Sequence, residues 1–365
     1  MRYKVKVEES MPVIDRAVTI RPGEEVDPLE VRTFLQENIE DCGGDIAITQ
    51  FPSGYSNLTY LIEMGGRQMV LRRPPVGAKV KAGHDMEREY NVLKALYPVF
   101  PYCPKPLAFT SDPSIIGTPF FVMEKLSGII LRKDLPEDFS FSTEQAANLC
   151  RTLVDLQADI HAIDVKSAGL DFIGKPAGYV QRQVEGWSGR YRKAKTDDAP
   201  DCESLMAWLK EKMPADTDHP TIVHNDYKFD NVVLDPGKPE KIIGVLDWEM
   251  TTYGDPLMDL GNSLAYWVEE NDPESMLMIR TMPTNMPGAL TRQEILDHYE
   301  KRTGRSTRQF DFYYCFGLFR LAVIAQQIYY RYFHKITMNK RFAALIHAVI
   351  ALEKTALKVI EASDL

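Results

Sequence analysis

A bilobal α+β fold is predicted, with a β-rich N-lobe and a mainly helical C-lobe. Three observations carry that prediction. Short strand-like runs crowd the segment before residue 129, and long amphipathic patterns fill most of the chain beyond it. A hairpin-like pair of apolar runs then interrupts the helical region within 222–247. A chain of 365 residues is long enough for two or three packed lobes. The expected division is 1–27 as an N-terminal appendage, 28–124 as the N-lobe and 125–365 as the C-lobe.

In the N-lobe, Asp27 is placed to cap a helix over Pro28–Ile39, with proline in its first turn. Strands follow at Asp45–Phe51, Asn57–Met64 and Gln68–Arg72, the last two joined by a tight turn at Gly65-Gly66. Pro74, Pro75 and Gly77 mark a loop. Asp85–Leu96 has the helical period, with Met86, Tyr90, Leu93 and Leu96 on one face. Phe120–Met123 is a short apolar strand.

In the C-lobe, helices are expected at Ser142–Ile163 (capped by Thr143), Tyr179–Lys195, Glu203–Met213, Leu257–Glu269, Arg292–Thr303, Gln309–Phe333 and Asn339–Ala362. Residues 195–203 form a polar loop. The proline-rich stretch 270–288 reads as a lid or as a mobile connection.

Composition narrows the function classes. The chain has 44% hydrophobic and 26% charged residues, ordinary for a globular protein. A net charge of −9 argues against a general nucleic-acid surface. The five cysteines are scattered without a Cys-x-x-Cys, so neither zinc nor a disulfide framework is expected, and a reducing cytoplasm is the simplest setting. Met1–Lys6 lacks the apolar core of a signal peptide. Phe310–Phe333 is the most apolar long segment. It contains Asp311, Arg320, Gln326, Gln327 and Arg331, so a buried helix is expected and no membrane span.

The chemistry concentrates in His224-Asn225-Asp226-Tyr227-Lys228-Phe229-Asp230-Asn231 and in Asp247. The runs Val232–Leu234 and Ile242–Leu246 flank Asp235-Pro236-Gly237-Lys238-Pro239, which predicts a hairpin with a long turn. Asn231 precedes the first strand and Asp247 comes just after the second. The two ends of a hairpin emerge on the same side, about 5 Å apart. Asn231 and Asp247 are therefore placed to share one hard cation, and Mg²⁺ prefers such oxygen ligands. Asp226 can accept the proton of an attacking hydroxyl, and Lys228 can offset charge on a phosphoryl group. Taken singly, each acid has a plainer reading as a turn residue or cap.

This set resembles the aminoglycoside phosphotransferase and choline-kinase-like small-molecule kinases, relatives of the protein kinases. The family pattern is His-x-Asp-x-x-x-x-Asn, an apolar strand and then Asp, and His224, Asp226, Asn231 and Asp247 match all of it. The resemblance covers about residues 45–350. It implies a protein-kinase-like fold, ATP with GTP as the alternative donor, Mg²⁺ and a small-molecule hydroxyl acceptor; the oligomeric expectation is a monomer or homodimer. It also implies that His224 braces the catalytic loop and that Asp259 stabilises it. Asp230 is either a supporting group or a turn acid, and Asp255 is a helix cap.

On the nucleotide side, the loop Phe51–Asn57 presents Ser53, Gly54, Ser56 and Asn57 to phosphates, although a plain hairpin loop would read the same way. The third strand supplies Arg72 or Arg73 where many relatives have Lys. Strand alternation favours Arg72, since it shares a face with Val70. Glu89, within Glu87-Arg88-Glu89, is its expected partner, with a solvated surface pair as the alternative. Met123 and Leu126 mark the interlobe hinge, whose backbone would pair with adenine. Glu249 reads as a contact to a second metal or the acceptor, or as a surface acid.

The segments Leu71-Arg72-Arg73-Pro74-Pro75, Glu87–Tyr90, Tyr179–Tyr191 and Phe316–Ala322 look closest to the kinase domain fused to acyl-CoA dehydrogenases. That branch implies a hydroxyacyl or lipid-derived acceptor. The alternatives are an antibiotic such as an aminoglycoside, or a non-catalytic nucleotide-binding pseudokinase. A protein kinase is disfavoured, because Gly-x-Gly-x-x-Gly, Asp-Phe-Gly and Ala-Pro-Glu are missing. Arg320 and the aromatic residues around it line an acceptor pocket, or else pack in the core with Arg320 in an internal ion pair.

Overall fold

A computed structural model describes residues 17–52, 57–75, 84–135 and 139–365. The N-terminal part is one antiparallel sheet with helices on both faces. Helix α1 (Pro28–Asn38) starts where Asp27 accepts hydrogen bonds from the N–H groups of Leu29 and Glu30. Strands β1 (Ile46–Gln50), β2 (Leu58–Met64) and β3 (Arg67–Arg73) come next, and Gly65 and Gly66 make the β2–β3 turn with φ of 58° and 77°. Both values lie in the left-handed region that a two-residue hairpin needs. Helix α2 (Met86–Leu96) precedes β4 (Pro106–Thr110), the short α3 (Pro113–Ile116) and β5 (Phe120–Glu124), and the strand order is β1-β2-β3-β5-β4.

Alternation along the strands serves two cores. Met69, Leu71, Phe120 and Val122 pack with Val31, Phe34 and Leu35 of α1. Val70, Phe121 and Met123 face the other way and join Val92, Leu93 and Leu96 of α2 in a core continuous with the helical part. The described end of the N-terminal segment is tied to this sheet. Val18 pairs with Gln50, and Tyr60 and Arg73 both donate to the Glu24 carbonyl. Strand β4 leaves no strand signal in the sequence because Pro104 and Pro106 mask it. A proline is tolerated there since β4 is an edge strand.

The C-terminal part contains α4 (Thr143–Ala162), α5 (Tyr179–Ala194), α6 (Glu203–Glu211), β6 (Thr221–Val223), β7 (Val232–Asp235), β8 (Lys238–Val245), β9 (Thr252–Gly254), α7 (Pro256–Ala265), α8 (Glu274–Ile279), α9 (Arg292–Thr303), α10 (Asp311–Phe333) and α11 (Leu345–Ala362). The cap of α4 is Ser142 and not Thr143. Ser142 accepts from Gln145 N–H, and the Gln145 side chain accepts from Ser142 N–H. This reciprocal box needs Gln or Glu three residues on, which Thr143 lacks.

The β7–β8 turn is shorter than expected. Asp235 pairs with Lys238 across Pro236-Gly237, and Asp235 Oδ1 accepts from Gly237 N–H at 2.8 Å. Register shifts around Leu234 absorb the residues left over. Helix α7 stops at Ala265, short of Glu269, because Trp267 turns inward and donates to the Leu290 carbonyl at 2.9 Å. Residues 270–288 contain α8 and bury Met276, Met282 and Met286, so this stretch packs against the core.

Helix α10 is buried on most sides, and among the described residues no helix is long and apolar enough to cross a membrane. It crosses α7 where two glycines meet. A Cβ on Gly317 would collide with the Gly261 carbonyl, and one on Gly261 would collide with the Tyr313 carbonyl. Gly317→Ala is expected to lower stability by about 1–3 kcal/mol, as overpacking does. Urea denaturation checks this, and an unchanged midpoint would remove the close crossing as a constraint.

Candidate active site

The stretch from β6 to β7 has little regular structure, so its backbone groups need specific partners. Asp259 of α7 supplies them. It is fully buried and accepts from His224 N–H at 3.1 Å and Asn225 N–H at 2.5 Å. From α4, Gln157 and His161 Nε2 add bonds of 3.2 and 3.0 Å. Burial alone would raise the Asp259 carboxyl, but these donors, His161 foremost, hold it below its ordinary value. An ionised carboxylate accepts only, so His161 Nε2 donates to it, while Nδ1 pairs with the Tyr299 hydroxyl at 2.8 Å. Asn225 has φ of 66°, a left-handed value that asparagine tolerates, and its amide bonds the Met250 carbonyl.

His224 uses both ring nitrogens. Nε2 donates to the Leu246 carbonyl at 2.9 Å, and Nδ1 accepts from Asp226 N–H at 3.3 Å. Burial pushes this imidazole below its ordinary value, so it stays neutral in this tautomer. Its contacts are those of a brace.

Asp226 Oδ2 accepts from Lys228 Nζ at 2.5 Å and from Asn231 Nδ2 at 2.9 Å. Burial would lower the Lys228 ammonium, but Asp226 and Asp230 hold it above its ordinary value, and it lies 5.0 Å from the Tyr266 ring. The hairpin pairing continues through Leu246 N–H to the Asn231 carbonyl at 2.8 Å, which brings Asn231 beside Asp247. Asn231 Nδ2 spends both bonds on Asp226, so its amide oxygen points elsewhere. Asp247 has φ of 67°, its side chain is 32% exposed, and Oδ1 alone meets Arg72. Burial would raise this carboxyl, yet Arg72 and Lys228 hold it below its ordinary value.

These two hard oxygen donors fit Mg²⁺, which keeps waters and takes further ligands from phosphates. Among the described residues no cluster of three His, Cys, Asp or Glu side chains forms an all-protein cage.

Arg72 carries three carboxylates. It reaches Glu89 at 2.6 Å, Asp247 at 3.2 Å and Glu249 at 3.0 Å. Glu89 is therefore a buried partner, and the solvated surface pair is excluded. Its burial, countered by Arg72, pushes the carboxyl up to about 7. Glu249 is no surface acid either. Its Oε2 also accepts from Asn57 Nδ2 at 2.6 Å, linking the start of β2 to the segment after β8. Arg88 adds a third link by donating to the carbonyls of Glu249, Ile173 and Thr251. The sequence marks Arg88 only through its place in Glu87-Arg88-Glu89.

Ser53, Gly54 and Ser56 lie outside the described residues. Met123, next to last in β5, pairs with Val70, and Leu126 packs near Gly244 at the junction of the two parts. Asp255 caps α7 by accepting from Leu257 N–H.

A model of the Phosphotransferase enzyme family matches residues 47–290. The chain belongs to this family. It is 34% identical over 332 residues to acyl-CoA dehydrogenase family member 11 of Rattus norvegicus, covering 88% of this chain and 42% of the relative. The chain thus spans less than half the length of that curated relative. A Ralstonia eutropha protein named as a candidate aminoglycoside phosphotransferase has a TM-score of 0.79 and 29% identity, with 93% of this chain and 100% of that one covered. Choline kinase from Cryptosporidium parvum shares the fold, with a TM-score of 0.59, 13% identity and coverage of 92% and 96%. The kinase-like α+β fold expected from the sequence is therefore the fold of this chain.

Among the buried charged residues described, one stands apart. Arg320 is 5% exposed and makes no hydrogen bond or ion pair with any described residue, so the expected internal ion pair is not formed. Its guanidinium lies 5.1 Å from the Trp187 ring centre. Burying an ion costs several kcal/mol even after relaxation. A desolvated cation–π contact returns about 2 kcal/mol.

Asp259→Asn is expected to destabilise the fold by about 3–5 kcal/mol at pH 7, as breaking a buried ionic network does. The wild-type carboxyl lies below its unfolded value of about 3.8, so its contribution is complete above that pH and is lost as pH falls through the folded value. The stability gap between wild type and variant should close in that acid window. Urea titrations at several pH values check this, and a gap independent of pH would remove Asp259 as the charged anchor.

Proposed function

We propose that this chain moves the γ-phosphate of Mg²⁺-bound ATP to a hydroxyl of a small molecule, a hydroxyacyl or other lipid-derived alcohol. The observation that carries the chemistry is the Asp226 carboxylate held between Lys228 and Asn231 in the loop that ends beside Asp247. Family membership supports phosphotransfer. Identity to an acyl-CoA dehydrogenase family member supports the acceptor class. GTP is the alternative donor. The five buried free thiols favour a reducing compartment such as the cytoplasm.

Each residue has a part in this reading. Asp226 orients the acceptor hydroxyl and takes its proton as the oxygen attacks phosphorus. Lys228, charged and fixed against Asp226 and Tyr266, offsets charge on the transferred group. Arg72, steadied by Glu89, faces the donor phosphates, and Asn57 adjoins them through Glu249. Backbone around Met123 and Leu126 meets the base. Asn231 and Asp247 hold Mg²⁺, which supplies charge neutralisation of the phosphates when bound. His224 and Asp259 keep the loop in shape.

A second reading, phosphorylation of an aminoglycoside, is favoured by the similarity to the Ralstonia protein. ADP release with Mg·ATP over a panel of hydroxyacyl-CoAs, choline, homoserine, aminoglycosides and macrolides separates the two. Turnover on none of them would count for a nucleotide-binding pseudokinase.

Asp226→Asn is expected to cut turnover on the active acceptor by roughly 10²–10⁴-fold with nucleotide affinity retained. An unchanged kcat would remove Asp226 from the reaction. Asp247→Ala is expected to lose Mg²⁺-dependent nucleotide binding in calorimetry, and wild-type affinity in that variant would contradict the metal role.

A further inference from the structure

Two cations meet one indole at the edge of the helical part. Arg320 of α10 lies 5.1 Å from the Trp187 ring centre, and Arg190 of α5 lies 4.4 Å from it. Neither guanidinium has a hydrogen bond or ion pair with any described residue. Arg320 is buried, whereas Arg190 lies on an exposed face of its helix. Burial and the charge of Arg320 together push the Arg190 guanidinium below its ordinary value. Like charges this close normally recruit an acid, and here no described carboxylate bonds either one.

The pair lies near the reacting groups. Gly317 crosses α7 at Gly261, and Arg320 comes one turn later on α10. Arg320 lies within electrostatic reach of Tyr266 and Tyr179, phenols that desolvation holds above their ordinary value and that its charge draws back down. Tyr266 is the ring beside Lys228, and the Tyr179 hydroxyl donates to Asn225 Oδ1 at 3.1 Å. Through these two tyrosines Arg320 adjoins the loop that carries Asp226.

We propose that Arg320 and Arg190, stacked on Trp187, bind an anionic group of the acceptor, a carboxylate or a phosphate set apart from the hydroxyl that is phosphorylated. The proposal rests on the phosphotransfer reading above and narrows it to acidic acceptors. Two guanidinium forks match the oxygens of such a group, and the indole offers a flat apolar surface beside it. A polycationic aminoglycoside would meet repulsion at the same place.

The test measures binding and turnover separately. Wild type saturated with Mg²⁺ and a non-hydrolysable ATP analogue is titrated calorimetrically with 3-hydroxyhexanoyl-CoA, free 3-hydroxyhexanoate and the neutral N-acetylcysteamine thioester of the same acid. An anionic probe should bind at least about 10-fold more tightly than the neutral one, the worth of a charge-assisted hydrogen bond. Preference for the CoA thioester assigns a phosphate, and preference for the free acid assigns a carboxylate. Arg320→Met should weaken that probe roughly 10- to 100-fold, with Arg320→Lys recovering part of the loss. Arg190→Met, on an exposed face, should also weaken it and guards against a folding defect in the buried variant. Equal binding of the neutral thioester, unchanged affinity in both Met variants, or no binding of any probe overturns the proposal. ADP release run alongside keeps the two readings distinct. Arginine-dependent binding without turnover would overturn phosphotransfer and leave the anion site standing.

Discussion

The stretch from His224 to Asn231 runs as irregular backbone through the interior, and a buried loop of that kind holds one shape only if its polar groups are met. Asp259 meets them. Its carboxylate takes the N–H groups of His224 and Asn225 on one side and the side chains of His161 and Gln157 on the other. The orientation of Asn225, and so of Asp226 next to it, depends on that one acceptor. Helix α7 must then sit at a fixed distance from β6, and the glycine contact between α7 and α10 lets the long buried helix close over it. Further out, Tyr179 and Asn262 add bonds to the Asn225 amide oxygen.

A second constraint is charge. Arg72 gathers Glu89, Asp247 and Glu249, which belong to α2, the end of the β7–β8 hairpin and the turn after it. A lysine ammonium is a point charge, whereas a guanidinium fork can serve several acids at once. The arginine at this position therefore suits a site in which Glu249 is a third partner. Asn57 and Arg88 extend the same unit across the junction through Glu249 and the carbonyls beside it. The sheet and the helical part thus meet through polar contacts near the site and through a shared apolar core behind it.

Much of this was legible because the chemistry is local. Asp27 before a proline and Gly65-Gly66 between two strands each carry their own start or stop. Asn231 and Asp247 were readable as neighbours because a hairpin joins them. The misses have another origin. The cap of α4 turned on a reciprocal bond to Gln145. Strand β4 is hidden by prolines that only an edge position allows. Strand β9 is three residues long and exists because β6 pairs with it. Helix α7 ends where Trp267 finds the Leu290 carbonyl.

By itself, the sequence determined the kinase-like fold class, the spacing of His224, Asp226, Lys228, Asn231 and Asp247, and the choice of Arg72 over Arg73 through strand alternation. Those features depend on periods and offsets of a few residues, which covalent geometry transmits directly. Tertiary structure alone decided that Glu249 joins Asn57 across 192 residues, that Arg88 bonds the Glu249 carbonyl across 161, and that Arg320 is buried without an acid. Such contacts are set by how helices and sheet pack, and no local pattern records which distant group a side chain will meet.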